Sequence, residues 1–259
     1  MKAITKNTLL SGLATMAIFM SANATAQAVP QNPETIEDCP DCVQENAPDR
    51  SRPVTDQSVY DQDVSKVKDA LRSNELKSST DINQFDFDKA TVLEIEKDGE
   101  RFHSVTVPVK GYSPLSNFTV VYEQDGSVSN YAESQFRKGD DGNFVVDQWM
   151  NGEFERTKNL GVEYIPDSKF EAEIVKAREQ SEQIAQKAGE ERGIGKVAGC
   201  LAGVAGIGGP IAYVIAGACA GSCAAPELIS KGVCAACIGA YAALGAGGMG
   251  AAAACFQLW

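Results

Sequence analysis

From Val197 to Trp259 the chain carries two charges, Glu227 and Lys231, and six cysteines, Cys200, Cys219, Cys223, Cys234, Cys237 and Cys255. Ala and Gly dominate the rest. Such a stretch has too few large side chains for a conventional core, so it needs covalent staples to hold one shape. Cys219 and Cys223 are four apart and Cys234 and Cys237 three apart, so each pair shares one face of a helix. Gly199 and Gly203, and Gly217 and Gly221, repeat at the spacing that lets helix backbones approach closely. The expectation for 197–259 is three or four short helices, close-packed and stapled by up to three disulfides. Connectivity stays open, because six cysteines allow many pairings.

The remainder of the chain is chemically opposite. Of the net charge of −12, residues 1–28 contribute +2 and 197–259 nothing, which leaves −14 for 29–196. An acidic middle without a basic stripe argues against a nucleic-acid partner. Residues 1–28 read as a signal peptide: Lys2 and Lys6, an apolar run from Leu9 to Met20, then "AQA" ending at Ala28, the expected cleavage site. The expected localisation is therefore secreted, with a periplasmic or membrane-attached protein as the alternative. All eight cysteines follow Ala28, and an even number in an oxidising compartment points to disulfides.

Residues 29–58 are rich in Pro and carboxylates and are expected to be disordered. Within them "CPDC", Cys39 to Cys42, has redox-motif spacing but no preceding strand, so a disulfide role is expected for both, as a local bond or in pairing with the tail. A zinc site joining Cys39 and Cys42 to Cys234 and Cys237 is disfavoured by the separation in sequence. Residues 59–165 read as a small α+β domain. A helix over Val59–Asn74 places Val64, Val67 and Leu71 on one face. Three hairpins follow, around Asp98-Gly99, Asp125-Gly126 and Asn151-Gly152. They predict six short strands between Ala90 and Asn159, an antiparallel meander with one helix over its buried face. Residues 166–196 predict a charged connector helix with a thin apolar stripe through Phe170 and Ile174, broken by glycines near its end.

Catalytic signals are weak, and the chain is read as not an enzyme, with no cofactor and no metal. His103 is the single histidine and lies in a strand without a marked nucleophile. Asp140 and Asp141 sit in "KGDDGN", a turn. No phosphate-binding Gly loop, HExxH or GxSxG occurs. "NFT", Asn117 to Thr119, is a glycosylation sequon in form only.

The exported leader, the acidic middle and the tail "GCLAGVAGIGGPIAYVIAGACAGSCAAPELISKGVCAACIGAYAALGAGGMGAAAACFQLW" together resemble the precursors of halocin-type (microhalocin, halocin C-eight-like) bacteriocins. The tail has fewer cysteines than the archetype. The resemblance implies that the C-terminal part is released as an antimicrobial peptide and that the N-terminal part acts in immunity. It implies disulfides for the six tail cysteines. The expected function is a secreted precursor of a stapled hydrophobic bacteriocin, cut in the region of Gly193, Gly195, Lys196 and Gly199. Expected partners are a processing protease, a target-cell membrane or membrane receptor, and the middle domain associating with its own tail. The rival is an exported α+β domain held in a membrane by a Gly/Ala-rich helical hairpin.

Overall fold

The computed structural model describes residues 50–97, 99–176, 194–205, 209–224 and 233–242. Seven strands form one antiparallel sheet in sequence order: β1 Arg50–Pro53, β2 Thr91–Lys97, β3 Glu100–Pro108, β4 Asn117–Glu123, β5 Val128–Lys138, β6 Asn143–Met150 and β7 Glu153–Glu163. The helices are α1 Gln57–Arg72, α2 over residues 167–176, α3 Ile194–Ala205, α4 Gly209–Ala224 and α5 Val233–Ala242. The mixed α+β class expected from the sequence is the class observed.

The turn dipeptides do what their chemistry requires. Asn151 and Gly152 have φ of 51° and 80°, the paired left-handed conformations of a tight turn that matches strand twist. A side chain at Gly152 would also meet Lys77 Cβ at 2.7 Å. Helix α1 starts where Asp56 caps it, its Oδ1 accepting from the amides of Ser58 and Val59 at 2.9 and 3.4 Å. Its apolar face then delivers Val64, Val67 and Leu71 onto Val92, Val105, Phe118 and Val120.

Two expectations are corrected. The segment expected to be disordered over 29–58 ends in ordered structure, β1 and the start of α1. Arg52 fixes β1 by a two-pronged ion pair to Glu94 on β2, at 2.9 and 3.2 Å. Pro53 is tolerated there because an edge strand need not donate on both sides. Cys39 and Cys42, and the signal cleavage at Ala28, lie outside the described residues.

The second correction concerns burial. The sheet has two covered faces, not one. Strand β4 is buried at every position from Asn117 to Tyr122, as strands are when both faces are packed. One face lies under α1. The other lies under α2 to α5: Phe136, Phe144 and Val146 meet Phe170 and Ile174 of α2 and the apolar side chains of α3 and α4. Farther along, Leu93, Ile95, Phe102 and Val121 pack on Ala236 of α5.

Candidate functional site

The candidate site is the stapled tail and the sheet face that holds it. Helix α4 has no polar side. Ile211, Ala212, Val214, Ile215, Ala216, Ala218 and Cys219 are all buried, as expected of a helix that is apolar all round. It packs against α3, α5 and β7. Gly217 allows the closest approach, since a Cβ there would stand 3.0 Å from Leu160 Cδ2 on β7. A polar tie adds direction: Gln148 Nε2 on β6 donates to the Ala218 carbonyl at 3.0 Å.

The cysteine faces read from the sequence meet each other. Cys219 bonds Cys237 and Cys223 bonds Cys234, with Cα separations of 5.8 and 4.7 Å. The inner pair is nested in the outer one, which is the pattern two antiparallel helices produce. Cys200 is also disulfide-bonded. Cys255 lies outside the described residues. With Cys234 and Cys237 oxidised, neither is available as a zinc ligand. Disulfides of this kind persist in oxidising surroundings, outside the cell or in the periplasm.

Tyr241 anchors α5. It is fully buried, edge-on to Phe136 with centroids 6.2 Å apart. Its hydroxyl faces Asn117 and Ser134 without completing a hydrogen bond to either, and burial pushes the phenol up to about 12. The sheet surface beneath α5 is polar for an interior: Ser104, Thr106, Asn117, Thr119, Asn130 and Ser134 are all buried there.

Most of the expected release region is helical rather than broken by its glycines. Gly195, Lys196 and Gly199 are within α3, and both glycines are buried. Burial of Val197, Ala198 and Leu201 in the shared core outweighs the poor helix propensity of glycine. Gly193 lies outside the described residues.

The residues considered for chemistry fall elsewhere. His103 Nδ1 sits 2.9 Å from Asp63 Oδ2 and ties β3 to α1. The neighbouring Tyr122 hydroxyl is buried without a partner, and burial raises its phenol well above the ordinary value. Asp141 serves the β5–β6 turn, accepting from Asn143 N at 3.1 Å and from Asn143 and Asn159 side chains at 2.8 Å. The backbone bond from Asn143, with the Asn159 amide, holds its carboxyl below the usual range. Asn117 of the sequon is buried and donates to the Leu115 carbonyl.

One cluster escaped sequence reasoning. Glu133 is buried and accepts from Ser78 Oγ, Ser79 N and Ser79 Oγ at 2.8, 2.9 and 2.8 Å, from Gln135 Nε2 at 2.7 Å, and from Thr80 Oγ1. It clamps the loop after α1 to the sheet. Strand alternation, which sets Glu133 on the α1 face with Tyr131 and Gln135, was the available signal.

Among the described residues no helix is long and apolar enough to cross a membrane. Compared with protein-family models, curated proteins and solved structures, the chain matches none.

Proposed function

We propose that this chain is a secreted precursor whose acidic sheet domain shields a hydrophobic, disulfide-stapled antimicrobial peptide at its C-terminus. One observation carries the reading: the Cys219–Cys237 and Cys223–Cys234 bonds both join tail helix to tail helix. Neither of these two bonds ties the tail to the sheet, so a cut before α3 leaves α4 and α5 stapled to each other. The surface beneath it supports separability, because buried Asn, Ser and Thr are typical of interfaces that part rather than of permanent cores. The cut does not belong at Gly195, Lys196 or Gly199. Proteases need extended backbone, and those three residues are helical.

The freed tail carries almost no charge, so apolar burial or a membrane receptor supplies its affinity for a target cell. The sheet domain holds it inactive until then and is the natural candidate for the immunity role. Mass spectrometry of culture supernatant and membranes, reduced and unreduced, tests this. A soluble fragment starting near Gly193, lighter by two hydrogens per disulfide than its reduced form and able to release dye from lipid vesicles, is the expected result. An uncut chain confined to the membrane fraction would instead select a membrane-held α+β domain.

A further inference from the structure

The two bonds that join α4 to α5 differ in access. Cys219 is fully buried, and Cys223 and Cys234 are each 6 % exposed. Of the four, Cys237 alone is partly exposed. It also lines a cleft of about 200 Å³ between α5 and the sheet, which Cys219, Cys223 and Cys234 do not. A single water needs only ~15 Å³ of such space, so a molecule of several heavy atoms fits.

The sheet side of the cleft is small and mostly uncharged. Thr119 of β4, Ala132 of β5 and Met150 of β6 line it. Ala132 pairs with Thr119 on one side and with Met150 on the other, so it stands between them on the floor. Glu155 and Arg156 of β7 line the cleft together. One carboxylate and one guanidinium leave no net charge to draw in or repel an ion.

Access decides which disulfide exchanges. A thiolate has to reach one sulfur of the bond it breaks, so buried disulfides resist exchange and exposed ones are the labile ones. Cys219 offers no surface for attack. The outer bond is therefore open from one end only, at Cys237, and Cys219 is the leaving sulfur. The inner bond, Cys223–Cys234, is buried at both ends.

We infer that Cys219–Cys237 is a thiol-exchange site, entered through this cleft by a small neutral thiol, and that Cys223–Cys234 is a structural bond. The thiolate attacks Cys237 Sγ. A new S–S bond forms there, the bond to Cys219 breaks, and its electron pair leaves on Cys219, which takes a proton from water. A second thiol attacks the sulfur of the first and leaves with it as the oxidised dimer. Two thiols are oxidised and one protein disulfide is reduced. The inner bond still joins α4 to α5. What is lost is the covalent hold on the half of α5 that carries Tyr241. Thiol-containing surroundings therefore loosen α5 before they unstaple it, whether or not the tail is ever released.

A time course of the oxidised full chain in mercaptoethanol tests it. Samples are quenched in acid, labelled with N-ethylmaleimide in denaturant, and read cysteine by cysteine by fragment mass spectrometry. The label appears first on Cys219 and the mercaptoethanol adduct on Cys237. The outer bond opens at least about tenfold faster than the inner one, as the difference in access demands. Ala132→Leu fills the floor of the cleft and slows the outer bond severalfold, with the inner bond's rate unchanged. Equal rates at the two bonds, or an inner bond that opens first, overturn the inference. So does an adduct on Cys219, or an outer bond that opens as fast in a folded Ala132→Leu chain. The comparison of the two bonds is made in the unaltered chain, so it decides the matter even where Ala132→Leu folds poorly.

Discussion

Tyr241 and Glu133 are buried polar residues with opposite expectations on mutation. Tyr241 fills space against Phe136 with its hydroxyl unpartnered. Tyr241→Ala opens a cavity and costs about 3–5 kcal/mol, whereas Tyr241→Phe is neutral or slightly stabilising. Urea unfolding of both variants checks this, and a Phe variant as weak as Ala would contradict it. Glu133 is held by five donors. Glu133→Ala strands those donors and costs about 3 kcal/mol or more. Hydrogen bonds from Ser58 lower Asp56 and those from Ser127 lower Asp125, while Arg52 lowers Glu94. For Asp147 burial acts upward, but Arg137 and Thr157 outweigh it and the net shift is down. A depressed folded value contributes stability that is complete above the unfolded value near 4. That stability is lost as pH falls through the folded values, so the unfolding midpoint should decline between about pH 4 and pH 2. A midpoint flat across that window would count against these pairings.

Helix α4 and its staples set the predictions at the next scale. The loop closed by Cys223–Cys234 spans 11 residues and lies inside the 18 closed by Cys219–Cys237. A single loop of this size is worth about 3 kcal/mol in chain entropy. Because the loops are nested, removing either bond leaves most of that constraint in place. Each Cys-to-Ser pair alone should cost well under ~3 kcal/mol, and both together more than the sum of the two. Thermal unfolding of the three variants decides it. Gly217 is the contact point of α4 with β7. Gly217→Val drives a side chain into Leu160 and should cost about 1–3 kcal/mol by overpacking. Leu160→Ala in the same chain should recover part of that. Elements were legible in the sequence where local chemistry dictates them. Asn151-Gly152 supplied a hairpin, and the cysteine spacings supplied two helical faces. The pairing of those faces depends on how α4 and α5 pack, which no spacing contains. Helix α3 begins at Ile194, ahead of the expected start of the tail helices, because propensity counts Gly195 against a helix while burial against a shared core is invisible locally. Strand β1 was missed because its Pro and charges look like a loose segment until Glu94 is placed opposite Arg52.

At the scale of the whole molecule, the sequence divides sharply by composition and the structure does not. The tail reads as a separate body because its charge and side-chain size change abruptly after Lys196. Its packing partners, Phe136, Phe144 and Val146, lie in strands whose alternation suggested a single buried face. The continuous burial along Asn117–Tyr122 is where the structure shows the second. The Glu133 clamp stayed hidden for a related reason: its donors at Ser78, Ser79 and Thr80 are more than fifty residues upstream.

Strand order carries a last consequence. Every strand of the sheet pairs with its neighbour in sequence, from β1 to β7. From β2 to β7 each pairing closes only a short stretch of chain, so that part of the sheet can zip up in the order it is made, as low-separation contacts favour, while β1 joins β2 across α1. Residues 194–242 are synthesised after every strand of the sheet. By then the surface that receives them already exists. The Ala- and Gly-rich helices therefore meet a finished template within their own chain before they can find another copy, and intramolecular capture outruns aggregation because the template is always at hand.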